Sequence, residues 1–321
     1  MNKKSVVIAL GGNALSPKGD DGSIKNQFKH TRDSMANIMH FVRKKYNICI
    51  THGNGPQVGD ELRRHEISSK KIPPLPLGVL VANTQGAIGY MIQQSLQNSL
   101  YNEKSKREVV TFISQVKVDF DDPKIKKPSK YIGFRFNSDQ AKILSDKYGW
   151  NIKEQEPNNW RRVVPSPKPL YIFNGKSIKH LVDFGTIVVA GGGGGIPAYN
   201  SKNGNLEGLD AVIDKDMTAA LMGRVTKANE LYIITDVDYI YLNYLKTNQE
   251  TIEQVCVTDV KQYLKEGHFQ EGTMAPKIRA ALYFLKYHGQ KVVITSISNL
   301  KNAILKNSGT IIRKDKWIYT N

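Results

Sequence analysis

The sequence predicts an α/β protein built around a mainly parallel sheet. Short runs rich in Val and Ile recur along the chain, and each is followed by a glycine-rich, acidic or serine-containing loop. The runs are residues 6–10, 48–51, 186–190, 231–235 and 292–295. Nearly continuous apolar runs of this length fit strands that are buried on both faces.

Amphipathic stretches lie between these runs and predict helices. They are residues 31–44, 86–100, 210–223 and 277–286. Because strands that alternate with helices are typical of a parallel sheet covered by helices, the whole pattern indicates the α/β class.

Three of the predicted strands end in glycine-rich loops. The loops contain Gly11-Gly12-Asn13, Gly53-Asn54-Gly55 and the five consecutive glycines at 191–195. Ligands of parallel sheets collect beyond the carboxyl ends of the strands, where these loops lie. A single glycine there meets the needs of a tight turn. Three such loops predict backbone N–H groups that approach an anionic ligand.

The composition is that of a globular protein with a strong positive charge. The 321 residues are 40% hydrophobic, and 46 Lys and Arg against 29 Asp and Glu give a net charge of +17. Such a charge suits either nucleic acid or anionic metabolites such as nucleotides. Because the lysines are scattered and are not interleaved with aromatic residues that could stack on bases, we expect metabolites and no nucleic-acid partner.

We expect a cytoplasmic protein with neither a membrane partner nor a metal held by side chains. The apolar run at 6–10 is too short for a signal peptide, and no run approaches the ~18 apolar residues of a membrane helix. Cys49 and Cys256 lie far apart, and the histidines show no metal-ligand spacing.

One segment departs from the alternation of strands and helices. Residues 116–164 are polar and irregular, and a stiff Pro-Ser-Pro-Lys-Pro stretch at 165–169 follows them. We expect one domain over 1–321, with a small lid subdomain inserted at approximately 116–164. The alternative is a surface excursion of the main domain.

Two lysines stand in contexts that suit phosphoryl transfer, a reaction that needs cations and N–H donors to stabilise spread negative charge. Lys215 lies between the carboxylates of Asp214 and Asp216 at a predicted helix start. Lys277 follows a proline that is typical of a helix N-terminus. The simpler interpretations are that Asp214 or Asp216 only caps the helix, and that Lys277 is solvated.

Eight strings in the chain resemble, in order, the successive motifs of carbamate kinase, a member of the amino-acid kinase superfamily. They are ALGGNA (9–14), THGNGPQVG (51–59), QGAIGY (85–90), RRVVPSPKP (161–169), GGGGIP (192–197), DAVIDKD (210–216), ITDVD (234–238) and EGTMAPKIRAA (271–281). The first string, ITDVD and the lysine after proline are shared across the superfamily. GNGPQVG, VVPSP and DAVIDKD are more specific.

The resemblance implies a fold, an assembly and a reaction. The fold is a three-layer αβα sandwich with an open, mainly parallel sheet of about eight strands and a small protruding subdomain, assembled as a homodimer. The reaction is reversible phosphoryl transfer between ATP and carbamate, in which ADP and carbamoyl phosphate give ATP and carbamate in arginine catabolism. The implied cofactor is Mg²⁺, held mainly by the nucleotide phosphates. The alternatives are another phosphotransferase of the superfamily, or a non-catalytic protein that binds nucleotide or nucleic acid.

The resemblance also implies roles for individual residues. The implied catalytic residues are Lys130, Lys215, Lys277 and Asp216, with Asp216 orienting the lysines. The implied substrate-binding residues are Gly11, Gly12, Asn13, Gly53, Asn54 and Gly55. The implied nucleotide-binding residues are Asp210, Asp214, Thr235, Asp236, Tyr244 and Met274.

Two departures from the family pattern fall in the expected lid. Lys130 matches the lid lysine of the family, but Tyr131 replaces the proline that follows it, and Lys126 and Lys127 are close enough to be rivals. The stretch before Trp160 lacks a glycine that the family commonly has there. Both departures concern the contacts of the lid rather than the reaction.

Overall fold

The computed structural model describes residues 3–17 and 19–314, without the side chain of Asn13. Within this part, the strands are β1 (Ser5–Leu10), β2 (Asn47–His52), β3 (Val109–Thr111), β4 (Gln115–Lys117), β5 (Lys130–Phe136), β6 (Ile152–Glu156), β7 (Asn159–Val164), β8 (Tyr171–Ile172), β9 (Ile187–Val189), β10 (Ile196–Asn200), β11 (Leu206–Gly208), β12 (Glu230–Thr235), β13 (Ile240–Leu242), β14 (Glu250–Ile252), β15 (Gln254–Cys256), β16 (Lys291–Ser296) and β17 (Thr310–Arg313).

The helices of the same part surround these strands. They are α1 (Ile24–Arg43), α2 (Gly55–Ser68), α3 (Leu77–Asn102), α4 (Pro123–Lys126), α5 (Ser138–Tyr148), α6 (Gly175–Phe184), α7 (Lys215–Thr226), α8 (Val257–Lys265), α9 (Met274–Lys286) and α10 (Leu300–Lys306). Short 3₁₀ turns lie at Gly12–Ala14 and Gly192–Gly194.

The main sheet has eight strands in the order β15-β17-β16-β12-β1-β2-β9-β3. Neighbouring strands are parallel except for β16 and β17, which are antiparallel. All five apolar runs of the sequence lie in this sheet. The predicted α/β class, with its open and mainly parallel sheet, is therefore confirmed.

Helices cover both faces of the main sheet, which makes the three layers. Alternate residues of β1 show this most clearly, because Val7 and Ala9 pack in one apolar cluster and Val6 and Ile8 in another. The first cluster takes its helical residues mainly from α6, α7, α8 and α9, and the second from α1, α3 and α10. Burial on both faces explains why these strands are apolar without alternation.

All four predicted helices begin at positions that differ from the sequence prediction, and side-chain capping explains two of them. Helix α1 begins at Ile24 because the Ser23 side chain accepts a hydrogen bond from Asn26 N. Helix α7 begins at Lys215, later than predicted, because Asp214 accepts from the backbone N–H groups of Asp216 and Met217. Asp214 is thus the helix cap, and the side chain of Asp216 is available for other contacts.

A small three-stranded antiparallel sheet, β5-β7-β6, lies beside the main body. An apolar cluster joins it to α2 and α3, with Ile132 and Val164 from the small sheet and Val58 and Leu80 from the helices. The predicted lid boundary at about 116 stays a prediction. Val116 itself lies in β4, which pairs with β10 and β8 in a separate four-stranded sheet.

No helix within residues 3–17 and 19–314 is long and apolar enough to cross a membrane.

The packing of α7 against α9 supplies a test of the core. A Cβ added to Gly223 would lie 2.4 Å from Cε2 of the buried Phe284. We expect Gly223→Ala to lower the free energy of unfolding by roughly 1–3 kcal/mol, because a packed aromatic ring must move. Urea unfolding measures this change.

Gly86→Ala is the matched control, since Gly86 lies in helix α3 with no atom within 4 Å of an added Cβ. It should leave the free energy of unfolding unchanged or raise it by up to ~1 kcal/mol, because alanine is the better helix former. Equal losses in both variants would contradict this explanation of the α7–α9 contact.

Candidate active site

Two of the predicted glycine loops meet beyond the carboxyl ends of neighbouring strands β1 and β2. Gly53 N donates to Leu10 O at 2.9 Å. A Cβ on Gly53 would lie 3.1 Å from Gly12 N and 3.3 Å from Cδ of Lys215. Glycine therefore lets two backbones and a lysine stem approach one another. Gly12, Gly53 and Lys215 line a cavity of about 300 Å³, which we call the acceptor cavity.

The five-glycine loop packs mainly against protein, which corrects the expectation that its backbone approaches a ligand. Added Cβ atoms on Gly192, Gly194 and Gly195 would lie 2.2–2.3 Å from His52, Ile213 and Val116 respectively. Gly191, Gly193, Gly194 and Gly195 also have positive φ. The loop is glycine-rich because it must turn and fit closely behind the site, and within the acceptor cavity it contributes Gly193.

Three charged side chains form a buried triad at the edge of the acceptor cavity. Asp216 is 3% exposed, and its two carboxylate oxygens lie 2.6 Å from Lys215 Nζ and 2.8 Å from Lys277 Nζ. The structure thus brings together three of the four predicted catalytic residues, although Lys277 is 61 positions from Asp216 in the chain. We call these residues the lysine–aspartate triad.

The triad shifts the pKa of each member. Burial opposes ionisation of Asp216, but attraction to the two ammonium groups outweighs it and holds the pKa of that carboxyl well below its usual range. Burial lowers the pKa of Lys215, helped by repulsion from Lys277. The pKa of Lys277 is raised, because attraction to Asp216 exceeds the effect of burial. With both ammonium groups protonated and the carboxylate ionised, the triad carries one net positive charge.

Lys130 reaches the acceptor cavity from the small sheet. Its Nζ lies 3.4 Å from Asp214 Oδ2, and both residues line the cavity. Lys126 and Lys127 are exposed and line neither the acceptor cavity nor the cavity described next. Among the three rival lid lysines, the geometry favours Lys130.

A second cavity of about 400 Å³ adjoins the first, and we call it the nucleotide cavity. Gly272, Thr273 and Lys277 line both cavities. Four predicted nucleotide-binding residues lie in its wall: Thr235, Asp236, Tyr244 and Met274. Lys277 therefore stands where the two cavities join.

Sequence reasoning missed several residues of the two cavities. Tyr241 stacks on Tyr244 with ring centroids 5.8 Å apart, and both line the nucleotide cavity, as does Phe269. Arg161 lines the acceptor cavity and donates to Gly133 O at 2.9 Å. The aromatic spacing after the ITDVD loop could have identified Tyr241. Arg161 carried no such signal beyond its place next to the VVPSP string.

Other predicted site residues divide into those that line the acceptor cavity and those that do not. Gly12, Gly53, Asn54 and Gly55 line it, as predicted for substrate-binding residues. Gly11 lines neither cavity, and its Cα instead faces Ile234 O, which an added Cβ would approach to 2.9 Å. The prediction for the Asn13 side chain lies outside the described residues.

The two remaining aspartates predicted to bind nucleotide are not in the nucleotide cavity. Asp210 accepts a hydrogen bond from Leu77 N at 3.0 Å and lines a different cavity beside Trp150. Asp214 caps α7 and lines the acceptor cavity. Both carboxylates are therefore engaged in positioning helices.

The arrangement suits transfer of a phosphoryl group between ligands in adjoining cavities. Preorganised cations where negative charge is spread are the main requirement of that chemistry. The triad supplies them at the junction, and Lys130 adds a further ammonium group from the small sheet.

Comparisons with known proteins agree with this geometry. The model of the amino acid kinase family matches residues 4–296. Carbamate kinase of Pyrococcus furiosus is 39% identical over 309 residues, which cover 96% of this chain and 98% of that protein. Carbamate kinase 2 of Staphylococcus epidermidis is 40% identical over 311 residues, which cover 96% and 99%.

Solved structures give the same relationship. The carbamate kinase from Giardia lamblia bound to AMP-PNP has a TM-score of 0.90 and 35% identity, covering 98% of this chain and 99% of that one. Fold and site thus define a phosphotransferase enzyme of the amino acid kinase type. Within that class, the chain belongs to the carbamate kinase family.

The lid lysine can be tested by substitution. Lys130→Ala should lower the rate of phosphoryl transfer by roughly 10²-fold, because one preorganised cation leaves the acceptor cavity. Lys127→Ala is the matched control, being an exposed lysine three residues earlier that lines neither cavity. A large loss with Lys127→Ala and none with Lys130→Ala would reverse the assignment.

Proposed function

We propose that this chain catalyses reversible phosphoryl transfer between ATP and carbamate, so that ADP and carbamoyl phosphate give ATP and carbamate. The observation that carries the proposal is the lysine–aspartate triad at the junction of two adjoining cavities. The family relationship supports the identity of both substrates, and the Giardia relative has been solved with AMP-PNP bound.

The two cavities suggest how the substrates are arranged. ADP would occupy the nucleotide cavity, with Tyr241 and Tyr244 beside its base, and carbamoyl phosphate would occupy the acceptor cavity. A β-phosphate oxygen of ADP attacks phosphorus directly, so one P–O bond forms as the bond to the carbamate oxygen breaks. The electron pair of the broken bond leaves with carbamate.

The lysines offset charge during this step. Lys277 lines both cavities and can therefore contact phosphate on either side of the junction. Lys215 and Lys130 face the acceptor cavity. Asp216 fixes the two triad ammonium groups close together at reduced repulsion, so that little reorganisation is needed when the phosphoryl group is transferred.

This mechanism needs no general base, because the attacking phosphate oxygen is already ionised at neutral pH. The buried histidine beside the site, His52, is unsuited to that task. Its Nδ1 donates to Gly53 O at 3.0 Å, and burial lowers its pKa to about 4, so it is neutral at physiological pH. It holds the Gly53 loop in place.

Magnesium is proposed as the cofactor, held mainly by the nucleotide phosphates. No group of three or more His, Cys, Asp or Glu side chains that could cage a metal occurs among residues 3–17 and 19–314. Mg²⁺ commonly binds substrate phosphates and water with few protein ligands, so the phosphates of the nucleotide would supply most of its ligands here. When bound, the ion supplies further charge neutralisation at the phosphates.

We also propose a cytoplasmic homodimer that works in arginine catabolism, without nucleic-acid or membrane partners. The family relationship is the support for this setting. The concentration of buried cationic groups at the two cavities, rather than along a surface, favours small anions as the ligands.

A coupled assay for ATP formed from ADP, Mg²⁺ and carbamoyl phosphate tests the proposal. Wild type should form ATP, and Lys277→Ala and Lys215→Ala should each lower turnover by roughly 10²-fold or more, because charge stabilisation at the junction is lost. Lys286→Ala is the control, at the other end of the helix that carries Lys277.

Failure would also be informative. A wild-type protein that is folded and binds ADP but forms no ATP would refute the carbamate reaction. Near-normal turnover in Lys277→Ala would instead remove that residue from the site while leaving the reaction intact.

A further inference from the structure

The Asn54 side chain occupies a restricted position in the wall of the acceptor cavity. Asn54 is 7% exposed, and its Nδ2 donates to Thr84 Oγ1 at 2.9 Å. Thr84 lies in helix α3, is 3% exposed and has no place in either cavity wall. It therefore reaches the cavity wall through the side chain of Asn54 and through the backbone carbonyl of Val81.

The chemistry of Thr84 determines which way the Asn54 carboxamide is turned. Thr84 Oγ1 lies 2.8 Å from Val81 O, and a carbonyl oxygen only accepts hydrogen bonds. The hydroxyl proton of Thr84 is thus directed to Val81, and its oxygen is left as an acceptor. The atom of Asn54 that faces it must be the donor, Nδ2. The nitrogen and oxygen of a carboxamide have nearly the same shape, so their assignment here rests on which of them can donate to Thr84.

The five-glycine loop fixes the plane of the same carboxamide. A Cβ on Gly193 would lie 2.3 Å from Asn54 Nδ2, 2.6 Å from Cγ and 2.7 Å from Oδ1. The three atoms are nearly equidistant, so the glycine backbone lies against the flat face of the group. The carboxamide is left with two orientations related by a half turn, and Thr84 selects the one with Oδ1 on the other edge.

The charged side chains that line this cavity are mostly paired with one another. Lys130, Lys215 and Lys277 suit an anion, and the carboxylates of Asp214 and Asp216 are paired with these lysines. The Asn54 carboxamide is an uncharged polar group among them. A carboxamide that served the oxygens of a substrate would present its NH₂ group. Asn54 instead directs one N–H of that group to Thr84, and the oxygen on its other edge is left to accept from a ligand that carries a donor such as N–H.

We propose that Thr84 is a specificity-determining positioning residue: it orients Asn54 so that Oδ1 accepts a hydrogen bond from the NH₂ group of a carbamoyl substrate. This inference rests on the proposed function and defines the substrate class of the acceptor cavity more narrowly. Acetyl phosphate has a methyl group in place of NH₂, so it leaves the Asn54 oxygen without a partner. A site built to bond an N–H rejects such an analogue strongly.

Thr84→Val tests the proposal, because valine has the shape of threonine but offers no acceptor to Asn54 Nδ2. The measurement is the ratio of kcat/KM for carbamoyl phosphate to kcat/KM for acetyl phosphate, with ADP and Mg²⁺ saturating. Where turnover of acetyl phosphate is too slow to follow, its inhibition constant against carbamoyl phosphate replaces it. We expect the ratio to fall by roughly 10-fold or more, and Thr84→Ser, which keeps the hydroxyl, to retain it.

Thr226→Val is the matched control for the loss of a buried hydroxyl. Thr226 is 3% exposed, and its Oγ1 donates to Met222 O at 2.9 Å within helix α7, away from both cavities. The ratio should be unchanged in this variant. ADP affinity and thermal unfolding of all variants establish that each is folded.

Each result has a distinct meaning. A folded Thr84→Val variant with an unchanged ratio, or with equal losses on both substrates, overturns the role of Thr84. A wild type that uses both acyl phosphates equally well overturns the proposed selectivity of the cavity. A wild type that forms ATP from neither refutes the proposed function itself, which separates that failure from the failure of this inference.

Discussion

The site depends on one buried carboxylate that holds two ammonium groups together. A charge buried without a partner destabilises a protein strongly. Removing one member of a buried ion pair therefore lowers the free energy of unfolding substantially. In the triad, the Asp216 carboxylate contacts the ammonium groups of both Lys215 and Lys277. The remaining positive charge lies at the junction of the two cavities, where it would stabilise the negative charge of a phosphoryl group during transfer.

Helix ends decide where this triad lies. Asp214 ends the preceding loop and caps α7, so that Lys215 and Asp216 fall in the first turn of that helix. Lys277 falls in the first turn of α9, which packs beside α7. A carboxylate near a helix N-terminus is stabilised by the helix dipole. The fold thus brings the three charges together through the cap of α7 and through the packing of α7 beside α9.

Much of the fold was predictable because burial on both faces leaves a simple trace in the sequence. The apolar runs of β1, β2, β9, β12 and β16 were all identified, whereas the short strands β3, β15 and β17 were not. These strands have only three or four residues each, too few for their pattern to be told from that of a loop. The starts of α1 and α7 differ from the prediction because the caps Ser23 and Asp214 set the first helical residue independently of the amphipathic pattern.

The site was predictable in part, and the resemblance supplied most of it. Residue spacing could not show that Lys277 contacts Asp216, since 61 positions separate them. Nor could it tell which aspartate of DAVIDKD caps the helix, because Asp210, Asp214 and Asp216 stand in similar local sequences. Thr84 lies on a helix face and outside the cavity wall, and it contacts Asn54 from behind, so no linear motif identifies its role.

A double-mutant cycle on kcat/KM for ATP formation tests most directly whether the triad acts as one unit. The variants are Asp216→Asn, Lys277→Met and the two combined. If Asp216 works only by holding the lysines, the loss in the double variant should be far smaller than the product of the two single losses. Losses that multiply would show that the carboxylate and the lysine act independently, and would contradict a triad that works as one unit.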